Sequence, residues 1–130
     1  MTRMASFTKL ENELTPKFRE SMGLAESTAD VQKFFVYTML ELLNGVVAGH
    51  SEAFEILYED IVLTPGQAPG YTLSPRLGRH APLAAELQES DLPAILARFA
   101  EVAGKRYTYL QKKPAKTEAK MYHGTGRAAR

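Results

Sequence analysis

Residues 28–44 read TADVQKFFVYTMLELLN, and their spacing predicts a helix that is apolar around most of its circumference. At about 100° per residue, seven side chains fall on one wide face, and Val36 and Leu40 extend the apolar surface beyond it. The seven are Val31, Phe34, Phe35, Thr38, Met39, Leu42 and Leu43, and the narrow polar stripe that is left carries Lys33, Tyr37, Glu41 and Asn44. Such a helix must be covered by other elements or by a partner chain, because a single contact surface would leave much of it in water. We therefore expect a central core helix. Its polar stripe is expected to be solvated, and the alternative is that Lys33, Tyr37 and Glu41 form a buried polar network or part of an active site.

The length and composition are those of a single globular domain. A chain of 130 residues, of which 45% are hydrophobic, can bury a core without cross-links. The absence of cysteine excludes disulfides, thiolate nucleophiles and metal sites held by cysteine. The N-terminus has no apolar run resembling a signal peptide, and no segment has the apolar length needed to span a bilayer. We expect a cytoplasmic protein with no membrane partner.

Further helices are predicted on both sides of the central one. Apolar residues at spacings of three and four indicate a first helix starting near Ser6. At Pro16 this helix either kinks, or it ends and Thr15 caps a second short helix with Gly23 just past its end; we favour the break. The apolar residues of that pattern are Phe7, Leu10, Leu14 and Phe18. The central helix either stops at Asn44-Gly45 or continues to Ala48. A third helix is predicted from Ser51, with Phe54, Leu57, Tyr58 and Ile61 facing inward.

Prolines and glycines interrupt the helical pattern over residues 64–82. This segment is a long loop, or it closes a short β-hairpin that pairs residues 61–63 with 71–73. A short helix follows over 82–89. Ser90 or Asp91 caps the next helix, which ends at Gly104 or continues to about Gln111. The fold class is therefore mainly all-α, a compact bundle of about four to five helices around residues 28–44.

Charge divides the chain into an acidic body and a basic tail. Residues 104–130 hold eight lysines and arginines against one glutamate, a net +7, whereas residues 1–103 hold eight against fourteen acidic residues, a net −6. We expect a helical domain over 1–113 and a basic tail over 114–130. The tail is either a solubilising or self-docking extension of the acidic body, or an arm that attracts phosphates.

No catalytic residues, cofactor or metal site are predicted from the motifs. The three histidines are scattered, without the spacings that place two ligands on one side of a metal. A divalent metal at His50 and Glu52 is one interpretation, and a solvated acidic helix face is the other. In the Pro/Gly-rich loop, two arginines and a histidine indicate a site for a small anion or an acidic partner, because guanidinium groups bind phosphates and carboxylates. These are Arg76, Arg79 and His80.

A second candidate site interleaves cations with tyrosines near the C-terminus, a composition typical of single-stranded nucleic-acid binding. Its residues are Lys105, Arg106, Tyr107, Tyr109, Lys112, Lys113, Lys116, Lys120 and Arg127. The alternative is that the tyrosines belong to the core and the lysines are solvated. Two functions follow: a small helical interaction protein that binds a protein partner or itself, and a nucleic-acid-binding protein that uses the basic arm. An enzyme whose site is assembled from distant residues is a third interpretation.

Overall fold

The computed structural model describes residues 6–48 and 55–112, and this part of the chain is mostly helical with one short antiparallel hairpin. A 3-10 turn at Tyr58–Asp60 precedes the hairpin. The elements in chain order are α1 (Thr8–Leu24), α2 (Thr28–Val47), β1 (Ile61–Leu63), β2 (Tyr71–Leu73), α3 (Pro75–Gly78), α4 (Ala81–Glu89) and α5 (Leu92–Gln111). The mainly all-α prediction is confirmed, and so is the hairpin alternative for residues 61–73.

Helix α2 is the centre of the fold, as its sequence predicts. The Ser27 hydroxyl caps it by accepting a hydrogen bond of 3.1 Å from the Asp30 amide. Helices α1 and α5 and strand β1 pack around it. Its buried residues are Val31, Phe35, Val36, Thr38, Met39, Leu42, Leu43 and Val46, while Lys33, Tyr37, Glu41 and Asn44 are exposed. Among the described residues, the expected polar stripe is therefore solvent-exposed, as predicted.

The helix runs past Asn44-Gly45 to Val47, so the continuing alternative is correct. Leu10 of α1 packs against Gly45, where its Cδ2 atom lies 2.8 Å from the position of an added Cβ. A side chain at residue 45 would require the Leu10 side chain to move.

The predicted break at Pro16 is wrong, because α1 is continuous from Thr8 to Leu24 with the proline inside it. Leu14, Phe18 and Met22 are buried on one face, and the Phe18 ring meets Phe99 of α5 edge-on at 5.0 Å between centroids. These side chains reach the core together only if the helix passes through residue 16. Burial therefore outweighs the hydrogen bond that proline removes.

The predicted third helix is also wrong where the structure describes it, over residues 55–63. Residues 51–54 lie outside the described ranges. The chain instead makes the 3-10 turn and enters β1, in which Ile61 and Leu63 are buried and Val62 is exposed. Ile61, the last apolar residue of the predicted helix, therefore belongs to a strand, because β1 pairs with β2 and packs against α2.

Strand β1 forms hydrogen bonds on both of its edges, to β2 on one edge and to a side chain of α2 on the other. Ile61 pairs with Leu73, Val62 with Thr72 and Leu63 with Tyr71. On the opposite edge, the Gln32 side chain of α2 accepts from the Leu63 amide at 2.8 Å and donates to the Leu63 carbonyl at 3.4 Å. The hairpin loop approaches α5 closely at Gly70, where an added Cβ would lie 3.1 Å from the Ala100 side chain.

The start of α5 also fixes the start of α1. The Asp91 carboxylate accepts hydrogen bonds from the Phe7 amide at 3.0 Å and from the Ser6 hydroxyl at 2.9 Å. Burial raises the pKa of Asp91, but these hydrogen bonds outweigh it and hold the pKa below its ordinary value. Nearly two turns into α5, Arg98 forms an ion pair of 2.7 Å with Glu11. Helix α5 then continues past Gly104 to Gln111.

Candidate partner-binding surface

Two exposed tyrosines lie next to each other on the solvent-exposed side of α2. Tyr37 is 52% exposed and Tyr58, from the 3-10 turn, is 42% exposed. Their rings meet edge-on with centroids 5.7 Å apart. Lys33 and Glu41 lie one helical turn before and after Tyr37, and both are exposed. We call Lys33, Tyr37, Glu41 and Tyr58 the tyrosine surface.

The charged residues of this surface keep their side chains available to solvent. The Lys33 ammonium lies 5.5 Å from the centroid of the Phe34 ring. The Glu41 carboxylate forms an ion pair of 3.1 Å with Lys17 of α1, and their side chains are 49% and 68% exposed. An ion pair this exposed stabilises little, about 1 kcal/mol or less. Glu41 can therefore engage a second cation at small cost.

The sequence pattern located only part of this surface. It predicts Lys33, Tyr37 and Glu41 as the solvated stripe, which is where they lie. Tyr58 was predicted to face inward on the third helix, and that prediction fails with the helix. The strand at 61–63 ends the predicted helical period before Ile61, and Tyr58 lies in the 3-10 turn that leads into this strand.

Arg76 of the predicted anion site is engaged in the structure. Its Nε atom donates to Asp60 Oδ1 at 3.1 Å, and its Nη2 atom lies 3.0 Å from Asp60 Oδ2. The same guanidinium donates to the Glu55 carbonyl. These bonds tie α3 to the chain before β1. The sequence pattern missed Asp60, the partner that determines how Arg76 is used.

The three residues of the predicted anion site do not share one open surface. His80 is only 7% exposed, at the start of α4, while Arg79 is exposed. Arg76 is half-buried against Asp60. Anion binding by these residues stays a prediction, and Arg79 is the member that a ligand would reach most readily.

The candidate nucleic-acid residues at the end of α5 divide into exposed and engaged groups. Lys105, Tyr109 and Lys112 are exposed, although Lys105 lies 3.6 Å from Glu101 of the same helix. Arg106 donates to the Ala25 carbonyl at 2.9 Å and lies 5.1 Å from the centroid of the Tyr109 ring. Tyr107 is half-buried against the core. The remaining candidates, Lys113, Lys116, Lys120 and Arg127, lie outside the described residues, as does the predicted tail.

A cleft of about 510 Å³ separates the hairpin loop from α5. Residues 65–70 form one wall, and Ala100, Gly104 and Thr108 contribute to the other. Its charged members, Glu101 and Lys105, pair with each other. A ligand site usually adds several convergent polar groups to an apolar cleft, and this lining supplies little beyond one satisfied ion pair.

The described residues contain no group of three or more acidic or histidine side chains that could hold a metal ion. His50 and Glu52 lie outside the described ranges. Over residues 6–48 and 55–112, no helix combines the length and the apolar character needed to cross a membrane. No family model, curated protein or solved structure matches this chain.

Proposed function

We propose that this chain is a small non-catalytic interaction protein, an adaptor, regulator or accessory subunit, that acts in the cytoplasm through protein-protein contacts. The observation that supports this proposal is the exposed pair Tyr37–Tyr58 on the open side of the core helix. Tyrosine is enriched at protein interfaces, because a rigid ring buries much area for little lost entropy while its hydroxyl can still hydrogen-bond.

The position of Tyr37 and Tyr58 favours a role in binding, because Tyr37 lies on a rigid element. Tyr37 projects from a helix whose other faces pack against α1, α5 and β1, so its backbone is held by the core. A rigid anchor loses less freedom on binding than a side chain on a loop, and central tyrosines often dominate the binding energy of an interface.

The proposal is tested by affinity capture with tagged baits from the lysate of cells that make the protein. The baits are the wild type, Tyr37→Ala with Tyr58→Ala, and the control Tyr109→Ala, which removes a tyrosine of similar exposure from α5. We expect proteins, the untagged chain included, to be retained by the wild type and the control. The double variant should retain roughly tenfold less, as loss of interface tyrosines commonly gives. Identical sets of captured proteins on all three baits would contradict the proposal.

A second candidate function is nucleic-acid binding by the basic arm. It is favoured by Lys105, Tyr109 and Lys112, which expose cations and an aromatic ring at the end of α5, next to the cationic residues that follow. Anisotropy titrations of labelled single-stranded RNA and duplex DNA test it, using the full chain and a chain ending at Gln111. Binding that weakens steeply with salt and disappears on truncation supports the arm as an electrostatic contact. No binding by either chain at moderate salt excludes it.

A further inference from the structure

We propose that the partner of the tyrosine surface is a second copy of this chain, bound around a twofold axis that passes beside Tyr37. The inference rests on the proposed function and specifies its partner. What leads to it is the symmetry of charge along α2, where Lys33 lies four residues before Tyr37 and Glu41 four residues after it.

Residues four apart form a ridge on a helix, and the commonest way for two helices to pack aligns such ridges at a crossing angle of about −50°. When two copies of α2 meet in this way and run in opposite directions, the twofold axis places each Lys33 opposite the partner's Glu41. Because the twofold axis repeats the contact, the dimer has two equivalent ion pairs between Lys33 of one copy and Glu41 of the other. Tyr37 lies next to the axis and meets the partner's Tyr37.

The charges also select one orientation. If the two helices ran in the same direction, each Lys33 would face a lysine and each Glu41 a glutamate, which is unfavourable. Only the antiparallel arrangement satisfies both. Tyr58 widens the contact, because its ring lies edge-on to Tyr37 on the hairpin side of α2.

Within residues 6–48 and 55–112, the contacts of Lys33 and Glu41 are compatible with this dimer. The ion pair of Glu41 with Lys17 is exposed on both sides, so Lys17 can remain next to Glu41 when the partner's lysine arrives. Lys33 is exposed and has its ammonium near the Phe34 ring. The contact area of one helical ridge with flanking tyrosines predicts a weak dimer, with a dissociation constant in the micromolar range or above.

Charge reversal tests the pairing directly. We expect Lys33→Glu and Glu41→Lys each to weaken dimerisation by roughly tenfold or more, because each turns both attractive contacts into repulsive ones. An equimolar mixture of the two variants should dimerise about as well as the wild type, since every contact in the mixed dimer again joins opposite charges. Sedimentation equilibrium over concentrations on the order of 10 µM to 1 mM measures this. Arg19→Glu is the matched control, because Arg19 is exposed beside the groove between α1 and α5, outside the tyrosine surface.

The absence of cysteine from the chain permits a second, geometric test. A residue beside a twofold axis meets its own copy, so Tyr37→Cys should form a disulfide-linked dimer rapidly under mild oxidation. Leu24→Cys, which is more exposed than Tyr37 and lies outside the tyrosine surface, should form it at the slow rate of random collision.

The outcomes separate this inference from the function on which it rests. A wild type that stays monomeric at every concentration, or a mixture that stays as weak as its component variants, overturns the twofold dimer. Capture of another protein that depends on Tyr37 and Tyr58 would then leave the interaction function standing with a different partner. Failure of both measurements removes both proposals.

Discussion

At the scale of single residues, Asp60 organises the chain between α2 and α4. Among the described residues, Asp60 is the only acidic residue that is buried, with 3% of its surface exposed. Its oxygens accept from the Ser74 hydroxyl at 2.6 Å and from the Leu57 amide at 2.8 Å, in addition to Arg76. A buried carboxylate is stable only when its oxygens are hydrogen-bonded and its charge is compensated. Asp60 therefore joins the 3-10 turn, the hairpin and α3.

We expect Asp60→Asn to lower the free energy of unfolding at neutral pH by about 2 kcal/mol, because the amide cannot accept all these hydrogen bonds or pair with Arg76. Urea denaturation measures the change. Glu59→Gln, the same isosteric change at the exposed neighbouring residue, should alter stability by less than about 0.5 kcal/mol. Equal effects of the two substitutions would show that the Asp60 contacts do not stabilise the fold.

The same residue gives the expected pH dependence. Burial raises the pKa of Asp60, but hydrogen bonds from Ser74, Leu57 and Arg76, together with the Arg76 charge, hold it below the ordinary value of 3.8. A carboxyl whose folded pKa is lowered stabilises the protein above its unfolded pKa, and this contribution is lost as the pH falls through the folded pKa. The stability difference between wild type and Asp60→Asn should therefore shrink below about pH 4. A difference that is constant from pH 7 to pH 3 would contradict this account.

At the scale of elements, α1 shows how far packing can outweigh local preference. Pro16 is exposed in the middle of the helix, so its ring occupies no core space. It nevertheless leaves the carbonyl of the preceding turn without its helical donor, a cost of about 3 kcal/mol relative to alanine in a helix interior. The buried contacts of α1 with α2 and α5 offset that cost.

Pro16→Ala should therefore stabilise the protein, by about 1–3 kcal/mol, since it restores the hydrogen bond without changing a buried contact. The increase appears in urea denaturation and as a higher melting temperature. Glu20→Ala, on the same helix and also exposed, should have an effect below about 0.5 kcal/mol. A destabilising Pro16→Ala would contradict this account, because it would mean that the proline itself contributes to the packing of α1.

At the scale of the whole molecule, α2 is the element on which the others depend. Leu42 has no exposed surface in the centre of the core cluster, whereas Leu24, the last residue of α1, is 67% exposed. The two leucines therefore offer the same substitution in opposite environments.

We expect Leu42→Ala to cost about 3–4 kcal/mol of stability through lost burial and the cavity it leaves, and Leu24→Ala to cost less than about 0.5 kcal/mol. Denaturant unfolding of both variants measures the difference. Similar costs at the two residues would contradict the central position of α2.

By itself, the sequence determined the features that depend on local periodicity and composition. The apolar circumference of residues 28–44 predicts a core helix with an exposed polar stripe, and the prolines and glycines of residues 64–82 predict that the helical pattern is interrupted there. The exclusion of disulfides follows from composition alone. These features are determined locally because each depends on the spacing of neighbouring residues and on nothing distant in the chain.

Two kinds of feature depend on the tertiary structure. One is the conformation of a segment whose local signals favour different elements, and the other is a contact between residues that lie far apart in the chain. Pro16 stays inside a helix, and residues 61–63 become a strand, because burial against α2 outweighs the local preference at each place. Arg76 is engaged with Asp60, sixteen residues earlier in the chain, and Tyr37 meets Tyr58 across two elements. Such pairs depend on how the elements pack around α2, and residue spacing along the chain carries no information about that geometry.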